Sequence, residues 1–130
     1  VSKNFKVVPI SELRIKLTKI KRQVQLGHQR IVITSYGEVV GFLLPLKDLE
    51  PENGIPIENY IEMPLTKFRE QLTEAGELVG QNIDCIYLTF HTRKIIAFLS
   101  SRLTSYLTIP LMEFDYLKSD EQFFVLAKSK

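Results

Sequence analysis

Two stretches of this chain follow one plan 55 positions apart, and this repeat limits the possible folds more than any other feature. Ile10 to Leu17 reads ISELRIKL and Leu65 to Leu72 reads LTKFREQL. In the first, Ile10, Leu13, Leu17, Ile20 and Val24 fall at steps of three, four, three and four. That spacing lays one apolar stripe along a helix running to about Leu26. Adding 55 lands on Leu65, Phe68, Leu72, Ala75 and Val79, all apolar. Pro9 becomes Pro64, Ser11 becomes Thr66, Arg14 becomes Arg69, Ile31 becomes Ile86 and Thr34 becomes Thr89. Unrelated segments rarely agree at so many positions, so the chain reads as two tandem modules. Two copies are too few for a solenoid, whose units bury a continuous core only from about three repeats upward. Two copies suit a single-chain pseudo-dimer.

Each module reads as strand, helix, hairpin and short helix, an α+β arrangement. Ser11 is expected to be the helix N-cap and Gly27 its left-handed stop. Ile31 to Thr34 and Val39 to Leu44 then flank a turn at Ser35-Tyr36-Gly37-Glu38, with Pro45 closing the second strand and one or two helical turns over Leu46 to Glu50. The second hairpin is expected at about Ile83 to Phe90 and Ile95 to Ser100, with one extra turn residue carrying Phe42-Leu43 onto Phe98-Leu99. The chain thus divides into a module over 1–50, a linker over 51–60 around Pro51-Glu52-Asn53-Gly54, a divergent module over 61–107, and a strand-rich C-terminal extension over 108–130.

The chemistry of the chain narrows its function by what it lacks. Only one cysteine, Cys85, is present, inside an apolar run, so disulfide scaffolds and cysteine zinc sites are excluded and a buried thiol is expected. His28 and His91 belong to no metal-ligand or triad spacing, and the six glycines form no phosphate loop. No catalytic set, metal or cofactor is therefore expected, nor an enzyme. With 45% apolar and 25% charged residues, no apolar stretch near eighteen residues and no targeting segment, the expected class is a globular cytoplasmic protein without a membrane partner.

The charge is unevenly spread. Residues 1–55 hold nine Lys+Arg against five Asp+Glu, and residues 56–130 hold eight against ten, so the halves carry +4 and −2. On the first helix Arg14, Lys16, Lys19, Lys21 and Arg22 occupy the faces away from the apolar stripe, and after Glu12 no acidic residue occurs until Glu38. Without i,i+4 carboxylates, such a face repels itself, which points to an anionic partner. If Ser11 and Thr66 cap their helices, Arg14 and Arg69 stand at the third helical position, where the helix dipole disfavours a cation by about 0.3–1 kcal/mol. A hydroxyl cap, free backbone N–H groups and an arginine would together suit a phosphate. The other reading folds the arginine onto a carboxylate such as Glu62 or Glu70. The candidate anion-binding residues are thus Ser11, Arg14, Lys16, Lys19, Lys21, Arg22, Thr66 and Arg69, and they become candidate DNA-binding residues, with the phosphate backbone of double-stranded DNA as partner, through the resemblance that follows.

Taken as an ordered set, Ser11-Glu12-Leu13-Arg14-Ile15-Lys16-Leu17, Ile31-Val32-Ile33-Thr34, Gly37-Glu38-Val39-Val40 and Leu44-Pro45-Leu46-Lys47-Asp48-Leu49-Glu50 resemble the N-terminal domain of the prevent-host-death (Phd/YefM) antitoxin family. The resemblance covers about residues 6–50, and more loosely 61–107. It implies a small α/β domain that dimerises, binds operator DNA through the arginine at its helix start, and carries a segment that neutralises a toxin protein. It thus adds a toxin and a homodimeric mate as expected partners. Ser35 and Phe90 stand where the family often has a further basic residue, and Thr92-Arg93 replace the turn glycine of the second module.

Overall fold

A computed structural model of the chain describes residues 5–107. The strand-rich extension expected over 108–130 lies outside the described residues. Within them, the fold is α+β: one six-stranded sheet in the order β1-β2-β3-β6-β5-β4, with three α-helices. Strand β1 (Phe5–Pro9) leads into helix α1 (Ile10–Gln25), then β2 (Arg30–Ser35) and β3 (Glu38–Pro45). After 3-10 turns at Leu46–Leu49 and Pro51–Asn53, β4 (Tyr60–Pro64) leads into α2 (Leu65–Glu70), α3 (Leu72–Gln81), β5 (Cys85–Phe90) and β6 (Arg93–Ser100), and a 3-10 stretch spans Ser101–Tyr106.

The pairing register repeats with the sequence. Parallel partners Phe5 and Arg30 correspond to Tyr60 and Cys85, and antiparallel partners Ile31 and Leu43 to Ile86 and Phe98, each residue displaced by 55. Even the irregularity recurs, between Ile33 and Thr34 in one hairpin and between Leu88 and Thr89 in the other. The two hairpins join where β3 pairs antiparallel with β6, and Leu43 there faces its own counterpart, Phe98. The displacement stays at 55 through the second turn, which corrects the extra residue expected there: Tyr36 and Gly37 (φ 54° and 80°) match His91 and Thr92 (φ 53° and 64°). Thr92 takes the left-handed conformation in glycine's place, so the missing glycine strains the turn without lengthening it.

The apolar stripes do what their spacing predicts. Leu13, Leu17, Ile20 and Val24 of α1 and Phe68, Leu72, Ala75 and Val79 of α2 and α3 are fully or nearly fully buried against one sheet face. Burying each of the larger side chains contributes about 1.5–3 kcal/mol. The other sheet face carries Phe5, Val32, Phe42, Leu44, Cys85, Ala97 and Leu99, covered by the 3-10 segments and by Ile55 and Ile57. Residues 51–60 are therefore bound to the sheet. The buried Asp84 carboxylate also holds this segment by accepting the Glu58 and Asn59 backbone N–H groups at 2.9 and 3.0 Å.

The helix boundaries differ from expectation in three ways, each with a local cause. The N-caps are Pro9 and Pro64, both extended and without a side-chain cap bond, because each strand runs directly into its helix. Ser11 and Thr66 are hence second helical residues. Next, α1 is kinked at Lys16 (φ −108°, ψ 23°), and its counterpart Gln71 (φ −121°, ψ 44°) separates α2 from α3. Finally, the left-handed residue after α1 is His28 at φ 55°, one beyond Gly27, which directly follows the right-handed C-cap Leu26.

Candidate nucleic-acid interface

The strand directions decide where the basic residues lie. Because β1 runs parallel to β2, α1 starts at the sheet end that carries the first turn, where Pro9 pairs Thr34. Likewise α2 starts at the end of the second turn, where Pro64 pairs Thr89. The antiparallel β3–β6 pairing places the two turns at opposite ends. The second half of α1 thus runs toward the second turn, and the two meet: Lys21 Nζ lies 5.0 Å from the centre of the Phe90 ring. At the other end, a Cβ added to Gly76 of α3 would come within 2.8 Å of Val40 Cγ1 in β3.

Each expected site residue can now be placed. Ser11, Arg14, Lys16, Lys19, Arg22, Thr66 and Arg69 are exposed and Lys21 is half-buried. With the caps one position upstream of those expected, Ser11 and Thr66 close no cap. Counting from Ile10 and Leu65, Arg14 and Arg69 are fifth in their helices, beyond the first turn, where the dipole acts weakly. Glu12 and Lys67 occupy the third position. The cup of hydroxyl, N–H groups and arginine expected at each helix start is therefore not formed. Glu12 also pairs with Lys16 at 3.3 Å, so one cation of α1 has an i,i+4 carboxylate after all. Lys19 and Arg22 make no ion pair among the described residues.

Arg69 is not folded onto Glu62 or Glu70. Its Nη2 donates to Thr18 Oγ1 of α1 at 3.0 Å, while Glu62 lies 3.9 Å from Lys94. Thr18 lies four residues beyond Arg14, on the other side of the kink at Lys16, where α1 meets α2. Arg14 itself makes no hydrogen bond or ion pair among the described residues. The structure therefore joins Arg69 to α1 in the middle of the helix-bearing side, and carries Lys19, Lys21 and Arg22 away toward the second turn.

Sequence reasoning missed the residues at that turn. Phe90 pairs directly with Arg93 across the hairpin, which puts both side chains on one sheet face, the face Phe90 presents to Lys21. Phe90 is 48% exposed and the His91 ring sits edge-on to it at 4.2 Å. The run His91-Thr92-Arg93-Lys94 was a visible signal, obscured by the assumed insertion, which broke the correspondence of Arg93 with Glu38.

On the opposite sheet face, a cavity of about 180 Å³ lies beside Arg30 and Asp48. These two hold each other through a two-pronged ion pair, Nε to Oδ2 at 2.6 Å and Nη2 to Oδ1 at 2.8 Å. Those bonds raise the guanidinium's pKa over an opposing cost of burial. Cys85 is buried as expected, and burial, with the Asp84 charge beside it, pushes its thiol up to about 12. No group of three or more His, Cys, Asp or Glu able to hold a metal occurs among the described residues. No helix among them is long and apolar enough to cross a membrane. Compared with protein-family models, curated proteins and solved structures, the chain matches none.

Proposed function

We propose that this chain is a single-chain pseudo-dimer of two Phd-like modules that binds double-stranded DNA with the helix-bearing side of its sheet, as a transcriptional regulator or antitoxin-like protein. The observation that carries this reading is the run of exposed cations along α1, Arg14, Lys16, Lys19 and Arg22, which Arg69 of the second half joins through its bond to Thr18. Guanidinium and ammonium groups on an exposed helix face suit phosphate contacts, which release counterions and bind independently of base sequence. Operator choice and a toxin partner would come with the family resemblance and rest on it alone.

A second reading, a protein-interaction module that kept this fold without DNA binding, is favoured by the acidic α3, where Glu74 and Glu77 are exposed. One assay separates them. Retention of a duplex should fall steeply as salt rises, and Arg14→Ala with Lys21→Ala should weaken it. A wild-type chain that retains no duplex at about 50 mM salt would favour the interaction module.

A further inference from the structure

At four pairs of corresponding positions the two halves carry charges of opposite sign, while Arg14 and Arg69, and Lys47 and Arg102, keep the same sign. Lys19 corresponds to Glu74, Arg22 to Glu77, Arg93 to Glu38 and Lys67 to Glu12, each 55 positions apart. The topology sorts these pairs by end. Lys19 and Arg22 lie on the half of α1 that reaches the second turn, Lys67 on the start of α2 beside that turn, and Arg93 in the turn's own strand. Their four acidic counterparts gather at the end of the first turn. All eight are exposed except Glu12, which is half-buried. Lys16 moderates the acidic end through its pair with Glu12, while Arg14 and Arg69 lie between the ends.

We infer that the duplex is bound at one end of the helix-bearing side only, by Lys19, Lys21 and Arg22 of α1 together with Lys67 and Arg93, and that the acidic end fixes the direction in which it lies. This rests on the DNA-binding reading above and relocates its contacts. A backbone whose pairings repeat by a two-fold pattern offers a duplex two nearly equivalent poses. Inverting the charge at corresponding positions removes one of them, because phosphates at the acidic end meet like charge. Phe90 supports the basic end: it holds Lys21 over its ring and leaves half its own surface open beside Arg93. The chain thereby holds a duplex in one direction, where a dimer of identical modules would hold it equally in two.

The test uses the full chain, a mixed-sequence duplex of about 20 base pairs and three exposed-site variants: Lys19→Glu/Arg22→Glu, Glu74→Lys/Glu77→Lys and Arg14→Ala, each checked for fold by circular dichroism. At about 50 mM salt the first variant should lose roughly 100-fold or more in affinity. The second should bind more tightly than wild type, because the acidic end no longer repels the duplex. For wild type, five phosphate contacts would give a slope of log affinity on log salt near about −4.5. A wild-type chain that binds, but in which only Arg14→Ala lowers affinity, would overturn the one-ended site and leave the DNA reading standing. No wild-type binding at all would remove both. A wild-type dimer that Lys19→Glu/Arg22→Glu dissolves and mixing with Glu74→Lys/Glu77→Lys restores would show instead that the opposed ends join two copies of this chain, and would likewise overturn the proposal.

Discussion

Arg30 and Asp48 in the first half stand where Cys85 and Leu103 stand in the second, on strands and 3-10 segments with the same register. One half closes this contact with a two-pronged ion pair, the other with buried apolar side chains. One residue upstream the charge belongs to the second half. Asp84, the counterpart of Gln29, is buried and accepts two backbone N–H groups, and Arg102 stands 3.3 Å from it. What the halves share is therefore a backbone and an apolar pattern. What differs is how each spends its polar residues, and the difference is concentrated at the ends and edges of the sheet, where packing is least constraining.

The largest effect should come from making the central seam alike in both halves. Gly41 faces Ser100 where β3 meets β6, and its counterpart is the fully buried Ile96. A Cβ on Gly41 would meet the Leu99 carbonyl oxygen at 2.7 Å and the Phe98 ring at 2.8 Å, with backbone on one side. Gly41→Ile is expected to destabilise the chain by about 3 kcal/mol, read as a lowered urea midpoint at unchanged slope. Ile96→Ala should cost about 2–5 kcal/mol by a different route, the cavity left behind. A tolerated Gly41→Ile would mean the seam is looser than the register requires.

Asp84 should give the next largest effect and a pH signature that Gln29 cannot give. Burial alone would raise its pKa, but the Asn59 and Glu58 N–H groups and Arg102 outweigh that and hold it below the ordinary carboxylate value. A pKa depressed by folding stabilises the native state fully above the unfolded value of about 3.9, and this contribution fades as pH falls through that value toward the folded one. Asp84→Asn is therefore expected to cost about 2 kcal/mol at pH 7 and progressively less below about pH 4. A gap between the two unfolding curves that stays constant from pH 7 to pH 3 would contradict the network as described.

How much of this was legible in the sequence follows from what each level of structure depends on. The apolar stripes were readable because burial acts on every turn of a helix, so Leu13 to Val24 and Phe68 to Val79 announced both helices and their buried faces. The strands and the tandem repeat were readable for the same reason. Helix starts were not: a serine before an apolar run usually signals a cap, but here Pro9 and Pro64 end a strand that enters the helix without a loop. The kinks at Lys16 and Gln71 have no residue-level signal at all. The site was half legible. The basic face of α1 could be read from spacing, whereas its neighbour at Phe90 and Arg93 depends on strand order and on an uninterrupted 55-residue correspondence.

The ion pair offers a finer comparison. Coupling between Arg30 and Asp48, measured by a double-mutant cycle with alanine at each, is expected at about 1–2 kcal/mol and should shrink between low and high salt, since both side chains keep some contact with water. The same cycle over Cys85 and Leu103 should be indifferent to salt, because apolar contact carries no charge to screen. Salt sensitivity in the second cycle, or none in the first, would show that the halves differ less here than their residues suggest.

The smallest effect tests the turns. Gly37 and Thr92 hold the same left-handed conformation, at φ 80° and 64°, and only the glycine does so without strain. For a β-branched residue this region is unfavourable, so part of the folding free energy of the second hairpin is stored at Thr92. Thr92→Gly relieves that strain but returns conformational freedom to the unfolded chain, an opposing effect of about 0.4–1 kcal/mol. Net stabilisation should be about 0.5 kcal/mol, while Gly37→Thr, which imposes the strain without compensation, should cost about 1–2 kcal/mol. If both substitutions destabilise alike, the second turn must gain something from the threonine itself, and its hydroxyl, which donates to the His91 carbonyl oxygen, is the group to test next by Thr92→Val.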